Sequence, residues 1–308
     1  LKGGTGCSDA AACFVSGILG DDPAKQARID EVAAHYRHLG GSSPYNALTQ
    51  RQVEALETAL EQAPGCAGLP VALGLRHWSP WIVDAVRALT ARGVRELGVL
   101  ILSVHQSSVG WDDYLALADA ACATVRSEGG DIRLARVAQP VFDAPAYAKA
   151  IADRMVEATA GWDAERRAAA VPVFTAHAIP VPAESRSPYR RQIDETVRLA
   201  TAACRARGIG TTHDAVLAFQ SHPPVSAVPW SQPALSDVLD RLAAEGVRDV
   251  IAQPCGFLVD HVEVLYDLDH DAAEQAQRVG LGWARAGCVQ DHPAFITLLA
   301  ERVGTLTG

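Results

Sequence analysis

Two stretches, SPWIVDAVRALTARGVRELGVLILS at residues 79–103 and SQPALSDVLDRLAAEGVRDVIAQPCG at residues 231–256, carry the reading of the fold. With Gly93 laid on Gly246, Asp84 meets Asp237, Val94 meets Val247 and Arg95 meets Arg248. Each copy has a tryptophan-bearing loop, an amphipathic helix, a glycine turn and a short apolar run of strand length. Any two units of an open α/β sheet share the outline of helix, glycine and strand. The matched Asp and Arg positions go further and imply an internal duplication. Two such halves would leave a cleft between them, at the C-terminal ends of both sheets, where open α/β folds take ligands.

Outward from these stretches, strands are expected at 71–75, 97–103, 132–137, 171–176, 215–220 and 249–254. Helices are expected at 22–39, 49–62, 80–92, 111–128, 144–159, 188–207, 234–246, 260–280 and 293–303. Strands separated by amphipathic helices predict parallel sheets covered on both faces, hence a doubly wound α/β protein of two Rossmann-like halves. The halves are placed at residues 1–140 and 141–308. The first strand is read as cut short at residues 1–4, and the last helix as packing back on the first half.

The 308 residues, 49% hydrophobic and 20% charged, suit an ordinary globular protein and exclude disorder. A net charge of −9 disfavours nucleic acid as a partner but not a cation. No apolar run reaches membrane-spanning length, and no basic-then-apolar signal segment opens the chain. Seven scattered cysteines without a Cys-x-x-Cys pair read as mostly inert thiols in a reducing, cytoplasmic setting. Neither a strand-borne Gly-x-Gly-x-x-Gly nor a Walker A sequence occurs, so no nucleotide is expected. Gly-x-Ser-x-Gly is absent too.

The strongest local feature runs from Gly256 to Asp271, directly after an expected strand. On a helix, Glu263, Asp267 and Asp271 share one face, and no lysine relieves their repulsion between Asp260 and Arg278. Such a row of hard oxygen ligands suits a divalent cation held weakly and passed along. A negative helix N-terminus accounts equally well for Asp260 and Glu263, but not for Asp271. His177 follows an apolar strand and precedes a proline-rich loop, where a neutral imidazole can take a proton or ligate a metal. His105 and His261 are ambiguous in the same way, whereas His35, His38 and His270 read as surface helix positions. Loops around Ser42, Arg76, His105, Ser107, Gln220, Ser221 and Trp230 would wall a flat apolar ligand with polar edges.

In this order the pieces resemble the ferrochelatases, enzymes that insert ferrous iron into a porphyrin. The resemblance runs through His35-Tyr36 with Gly40-Gly41-Ser42-Ser43-Pro44, Gly74-Leu75-Arg76-His77-Trp78-Ser79-Pro80, and Ser107-Ser108 with Tyr114. It continues through Thr175-Ala176-His177-Ala178-Ile179-Pro180, Tyr189 with Gln192, Phe219-Gln220-Ser221, Trp230 and the stretch from Gly256 to Asp269. It implies two pseudo-symmetric Rossmann-like halves, a catalytic His177 facing Glu263, and a metal path over His177, Glu263, Asp267 and Asp271. It also implies Fe2+ as substrate metal in heme biosynthesis, a lyase-class reaction, and a porphyrin-donating or heme-accepting enzyme as a further candidate partner.

The rim departs from the family pattern. An aromatic residue usual in the first glycine turn is replaced by Lys2 and Gly3, a basic segment by Gly20-Asp21-Asp22, and the residues after Ser221 by His222-Pro223-Pro224. Substrate carboxylates are therefore assigned to Arg76, Arg186, Arg190 or Arg191. With Cys288 the only cysteine near the C-terminal end, no iron–sulfur cluster is expected. Coproporphyrin III is favoured over protoporphyrin IX. A chelatase for cobalt, nickel or another tetrapyrrole, and a non-catalytic tetrapyrrole or metal binder, remain as alternatives.

Overall fold

Both quoted stretches fold alike in the computed structural model, which describes residues 9–20, 22–223 and 225–307. The glycine turn at residues 1–4, Cys7, Asp21 and Pro224 lie outside those residues. In chain order the first elements are α1 (Ala10–Leu19), α2 (Gln26–His38), α3 (Tyr45–Leu60), α4 (Ile82–Ala91), β1 (Glu96–Val99), α5 (Trp111–Ser127) and β2 (Arg133–Val137). Next come α6 (Pro145–Ala158), α7 (Ala164–Ala169), β3 (Val171–His177), α8 (Val181–Glu184), α9 (Tyr189–Arg205), β4 (Val216–Gln220), α10 (Leu235–Ala244) and β5 (Asp249–Gln253). The chain closes with α11 (Val262–Leu265), a π-helical turn (Tyr266–Asp271), α12 (Ala272–Val279), β6 (Gly282–Arg285) and α13 (Pro293–Gly304).

The register that sets Gly93 on Gly246 also sets the first residue of α4 on that of α10, and Glu96 of β1 on Asp249 of β5. The tie into each unit is the same as well. Leu75 N–H donates to the Pro80 carbonyl at 2.7 Å, and Phe219 N–H to the Pro233 carbonyl at 2.8 Å. Both prolines follow cis peptide bonds.

The halves differ in their sheets. β1 and β2 form a parallel pair, its register slipping between Leu97 and Gly98. No strand forms at 71–75, where Leu75 makes one isolated bridge to Trp81, and β1 ends at Val99. Val71, Leu100 and Leu102 turn instead into a core shared with Leu56 and Leu60 of α3 and Phe295 and Leu299 of α13, so burial there outweighs pairing.

The second sheet is fully parallel, in the order β4-β3-β5-β6. Its central strand β3 is buried from Val171 to Ala176, as a strand covered on both faces must be. From β3 the chain crosses to β4 on one side, and from β5 to β6 on the other. Adjacent strands whose connections leave in opposite directions open a crevice at their C-terminal ends. His177 ends β3, and the loop after β5 leads to Glu263.

Two further expectations need correction. β6 shows no β-branched residue and was not foreseen. It is fixed by edge pairing to β5, and glycine at 282 leaves room for the Asp249 carboxylate, which a Cβ there would displace from 2.0 Å. The helix expected over 260–280 forms from Val262 to Val279 but not in one α register: the His261 ring caps α11 by accepting from Val264 N–H, and the π turn lies between α11 and α12. No described helix is long and apolar enough to cross a membrane.

Candidate active site

The crevice at the β3/β5 switch opens into a cavity of about 570 Å³. Its floor comes from strand ends and the acidic segment: His177, Gln220, Ser221, Glu263, Asp267 and Asp271. Its roof is Val15, Ile18 and Leu19 of α1 with Arg28, Glu31, Val32, His35 and Tyr36 of α2. That volume lies within the ~300–1,000 Å³ of small-molecule sites, and the apolar strip of α1 beside charged and polar groups suits a flat amphipathic ligand.

Gly256 explains how two strand ends deliver adjoining side chains. Its N–H donates to the Thr175 carbonyl at 3.1 Å, and a Cβ at this position would meet Ala176 at 2.9 Å. The loop after β5 can therefore lie flat across the end of β3, bringing α11 beside His177. Ser43 Oγ of the first half accepts from Val262 N–H at 3.3 Å, at the start of α11.

His177 and Glu263 meet directly, Nε2 to Oε1 at 3.1 Å. The ring's other nitrogen, Nδ1, bonds the Ala178 carbonyl, and the Tyr189 hydroxyl donates to the His177 carbonyl at 2.9 Å. A carbonyl and a carboxylate only accept, so a ring serving both carries two protons. Burial works against that charge, but attraction to Glu263, their hydrogen bond and the Ala178 carbonyl outweigh it, and His177 rises to about 9. For Glu263 burial is likewise outweighed, chiefly by His177, and the carboxyl falls to about 2. The resting pair is thus imidazolium and carboxylate, not the neutral imidazole expected from sequence.

Asp267 sits one step along. Its Oδ2 accepts from Gln220 Nε2 at 3.1 Å and from the Ser221 hydroxyl, and Gln220 Oε1 in turn accepts from Thr175 Oγ1 at 2.8 Å. Burial, then repulsion from Glu263, raise Asp267 to about 6 despite those bonds. Ser221 reaches it from a left-handed backbone, φ 65°, the kind of local strain that collects at working sites.

The π turn aligns this row. In an α-helix each four-residue step overshoots one turn by about 40°, so Glu263, Asp267 and Asp271 would spread over about 80° of one face. The wider π turn takes up that excess, and all three line one cavity. Among the described residues no three ligand-type side chains converge as a coordination cage, so the carboxylates form a row rather than a nest.

Other expected site residues lie elsewhere. Ser42 is exposed before α3, Arg76 pairs with Asp113 at 2.8 Å, and Trp230 donates Nε1–H to Ser226 Oγ at 2.8 Å. His105 is buried 3.0 Å from Thr196 Oγ1, where desolvation lowers it to about 3, and Ser107 is buried in the following loop. None of these lines the cavity. Arg186 and Arg190 bond backbone carbonyls of Pro182 and Gln232, and Arg191 is exposed on α9. Arg28 is the arginine among the cavity's described lining residues, 2.6 Å from Glu31. His35 is not a surface position: its ring stacks on Tyr266 at 3.7 Å, with Tyr266 stacked on His270 and His38 edge-on to both. The missed signal is helical spacing, since 28, 31, 32, 35 and 36 share one face of α2.

The ferrochelatase family profile matches residues 17–306. The coproporphyrin III ferrochelatase of Mycolicibacterium smegmatis is 34% identical over 307 residues, covering 98% of this chain and 86% of that protein. The Mycobacterium tuberculosis protein of the same name is 36% identical over 274 residues, covering 88% of this chain and 74% of that protein. Among solved structures, SirB from Bacillus subtilis with Fe3+ has a TM-score of 0.58 at 15% identity, covering 84% of this chain and 89% of that one. CbiX, described as the terminal enzyme of siroheme biosynthesis in denitrifying bacteria, has a TM-score of 0.51 at 18% identity, covering 84% and 92%. At these identities the last two likenesses bear on the fold.

Proposed function

Because the chain belongs to the ferrochelatase family, we propose that it inserts ferrous iron into a porphyrin in this cavity, as a lyase-type chelatase of heme synthesis. The relatives' names favour coproporphyrin III as the ring. The observation that carries the reading is the His177–Glu263 pair at the inner end of a one-faced row of carboxylates.

The chemistry is set by charge. A free porphyrin holds two pyrrole N–H protons, and a divalent cation enters only as both leave. With His177 already protonated, its imidazole cannot accept a proton until the pair is broken. A cation passing Asp271 and Asp267 to reach Glu263 takes over the carboxylate. The imidazolium then loses its partner, its pKa falls, and its proton passes to solvent water. The neutral ring is then free to take one pyrrole proton, and the acidic row takes the other. Arg28 is placed to meet a ring carboxylate at the roof, in place of the arginines first assigned.

Anaerobic mixing of the full chain with coproporphyrin III and ferrous iron, followed by the absorbance of the metallated ring, tests this. The wild type is expected to turn over, and His177→Ala and Glu263→Gln to lose about a hundredfold or more in kcat. Turnover restricted to another metal or macrocycle would overturn the iron–porphyrin assignment. Stoichiometric binding without turnover would make the protein a carrier.

A further inference from the structure

Beneath the acidic row lies a second ionic group that the proposed chemistry does not use. Arg285, at the end of β6, makes a two-point fork to Asp269 in the π turn, Nε to Oδ1 at 2.8 Å and Nη2 to Oδ2 at 2.6 Å. Its remaining arm, Nη1, reaches Asp260 Oδ1 at 2.9 Å, before α11. Asp260 is fully engaged: Oδ1 also accepts from Cys288 N–H at 3.2 Å, and Oδ2 from Gln290 Nε2 at 2.9 Å. Gln290 itself sits at φ 50°, and Gln52 of α3 donates to its carbonyl at 2.8 Å. The arginine is therefore anchored on strand, loop and first half at once, with both its side chain and that of Asp260 nearly buried.

The fork falls where the helix changes register. A π turn is rare, a single-turn insertion in an α-helix found mostly at functional sites, so contacts outside the helix must select it. Leu268, buried in the core, holds the inner side of the turn, and the Arg285 fork holds Asp269 beside it. Asp267 and Asp271 flank Asp269 and face the cavity. Two parallel charge-assisted bonds fix rotation as well as distance, which a single bond cannot do.

We propose that Arg285 is a positioning residue that, through Asp269, locks the π register and so keeps Asp267 and Asp271 aligned for a divalent cation. This deepens the reading of the site as a metal path, on which it rests. The test is direct titration of the full chain with cobalt(II), without porphyrin, followed by its visible absorption. Asp269→Asn and Arg285→Lys are expected to weaken cobalt(II) binding about tenfold, as loss of an outer partner of a ligand does. Asp269 is exposed, so Asp269→Asn leaves Arg285 paired with Asp260 and the fold intact. In an Asp267→Asn/Asp271→Asn background, Asp269→Asn is expected to add nothing, since coupled groups fail to add. In turnover, the same change should raise KM for iron and leave KM for porphyrin unaltered. Unchanged cobalt(II) binding in both variants, or an equal loss in the double-mutant background, overturns the proposal. A wild type that binds cobalt(II) in this Asp269-dependent way yet metallates no porphyrin would overturn the proposed reaction and leave the positioning role standing.

Discussion

At the level of single residues, the floor of the cavity holds two opposite electrostatic strategies. His177 is raised from 6.5 to about 9, so its pairing with Glu263 stabilises the fold fully below pH 6.5 and is lost as pH rises through 9. Both side chains are about a third exposed, so screening keeps the effect small. Melting temperature should therefore decline between pH 6.5 and 9.5 in the wild type, and decline less in Glu263→Gln. Asp267 has the other sign. Its pKa is raised from 3.8 to about 6, so the folded state favours the protonated form, and that preference is lost as pH rises through 6. Asp267→Asn should raise the melting temperature at pH 7.5 while weakening cobalt(II) binding, a trade of function for stability. Equal melting temperatures at pH 7.5 would refute the buried-charge account.

The elements show which parts of the site can be read from sequence. β3 and β5 are continuous apolar runs ending in chemically distinctive residues, so His177 and the segment from Gly256 to Asp271 were visible. The four-residue spacing of the acids suggested a shared face, but nothing in the letters announced a π turn, because its register depends on contacts from Arg285 and Leu268. β6 was hidden for a similar reason. Of Gly-Trp-Ala-Arg only the tryptophan favours a strand, and the segment becomes one by pairing residue for residue with β5. Gly282→Ala should accordingly destabilise by about 1–3 kcal/mol in urea unfolding, the usual cost of overpacking. The face of α2 is hidden in the same way: His35 taken alone reads as a surface position, and only its helical spacing with Arg28, Glu31 and Tyr36 places it on the cavity. The rim arginines were assigned from nearness in sequence to loops, and sequence nearness carries no direction for a side chain.

Across the molecule, one core joins what the duplicated sequence divides. Leu56 and Leu60 of α3 share it with Tyr147, Phe174 and Phe295, and α13 packs against both α3 and α6. Phe295 is fully buried, its ring 5.7 Å from that of Tyr147. Phe295→Ala should cost about 3–5 kcal/mol, and tryptophan fluorescence and far-UV circular dichroism should still report a single coincident transition. Separate transitions would mean that the halves melt independently. The row of carboxylates, open and never closing around a point, has a further consequence. On the proposed reading, an ion travelling along it would meet one or two oxygens at a time and find no resting place as good as four converging ring nitrogens. Delivery then runs downhill without the protein having to surrender a tightly gripped cargo, and the same looseness spares it from being choked by whichever metal happens to bind proteins best.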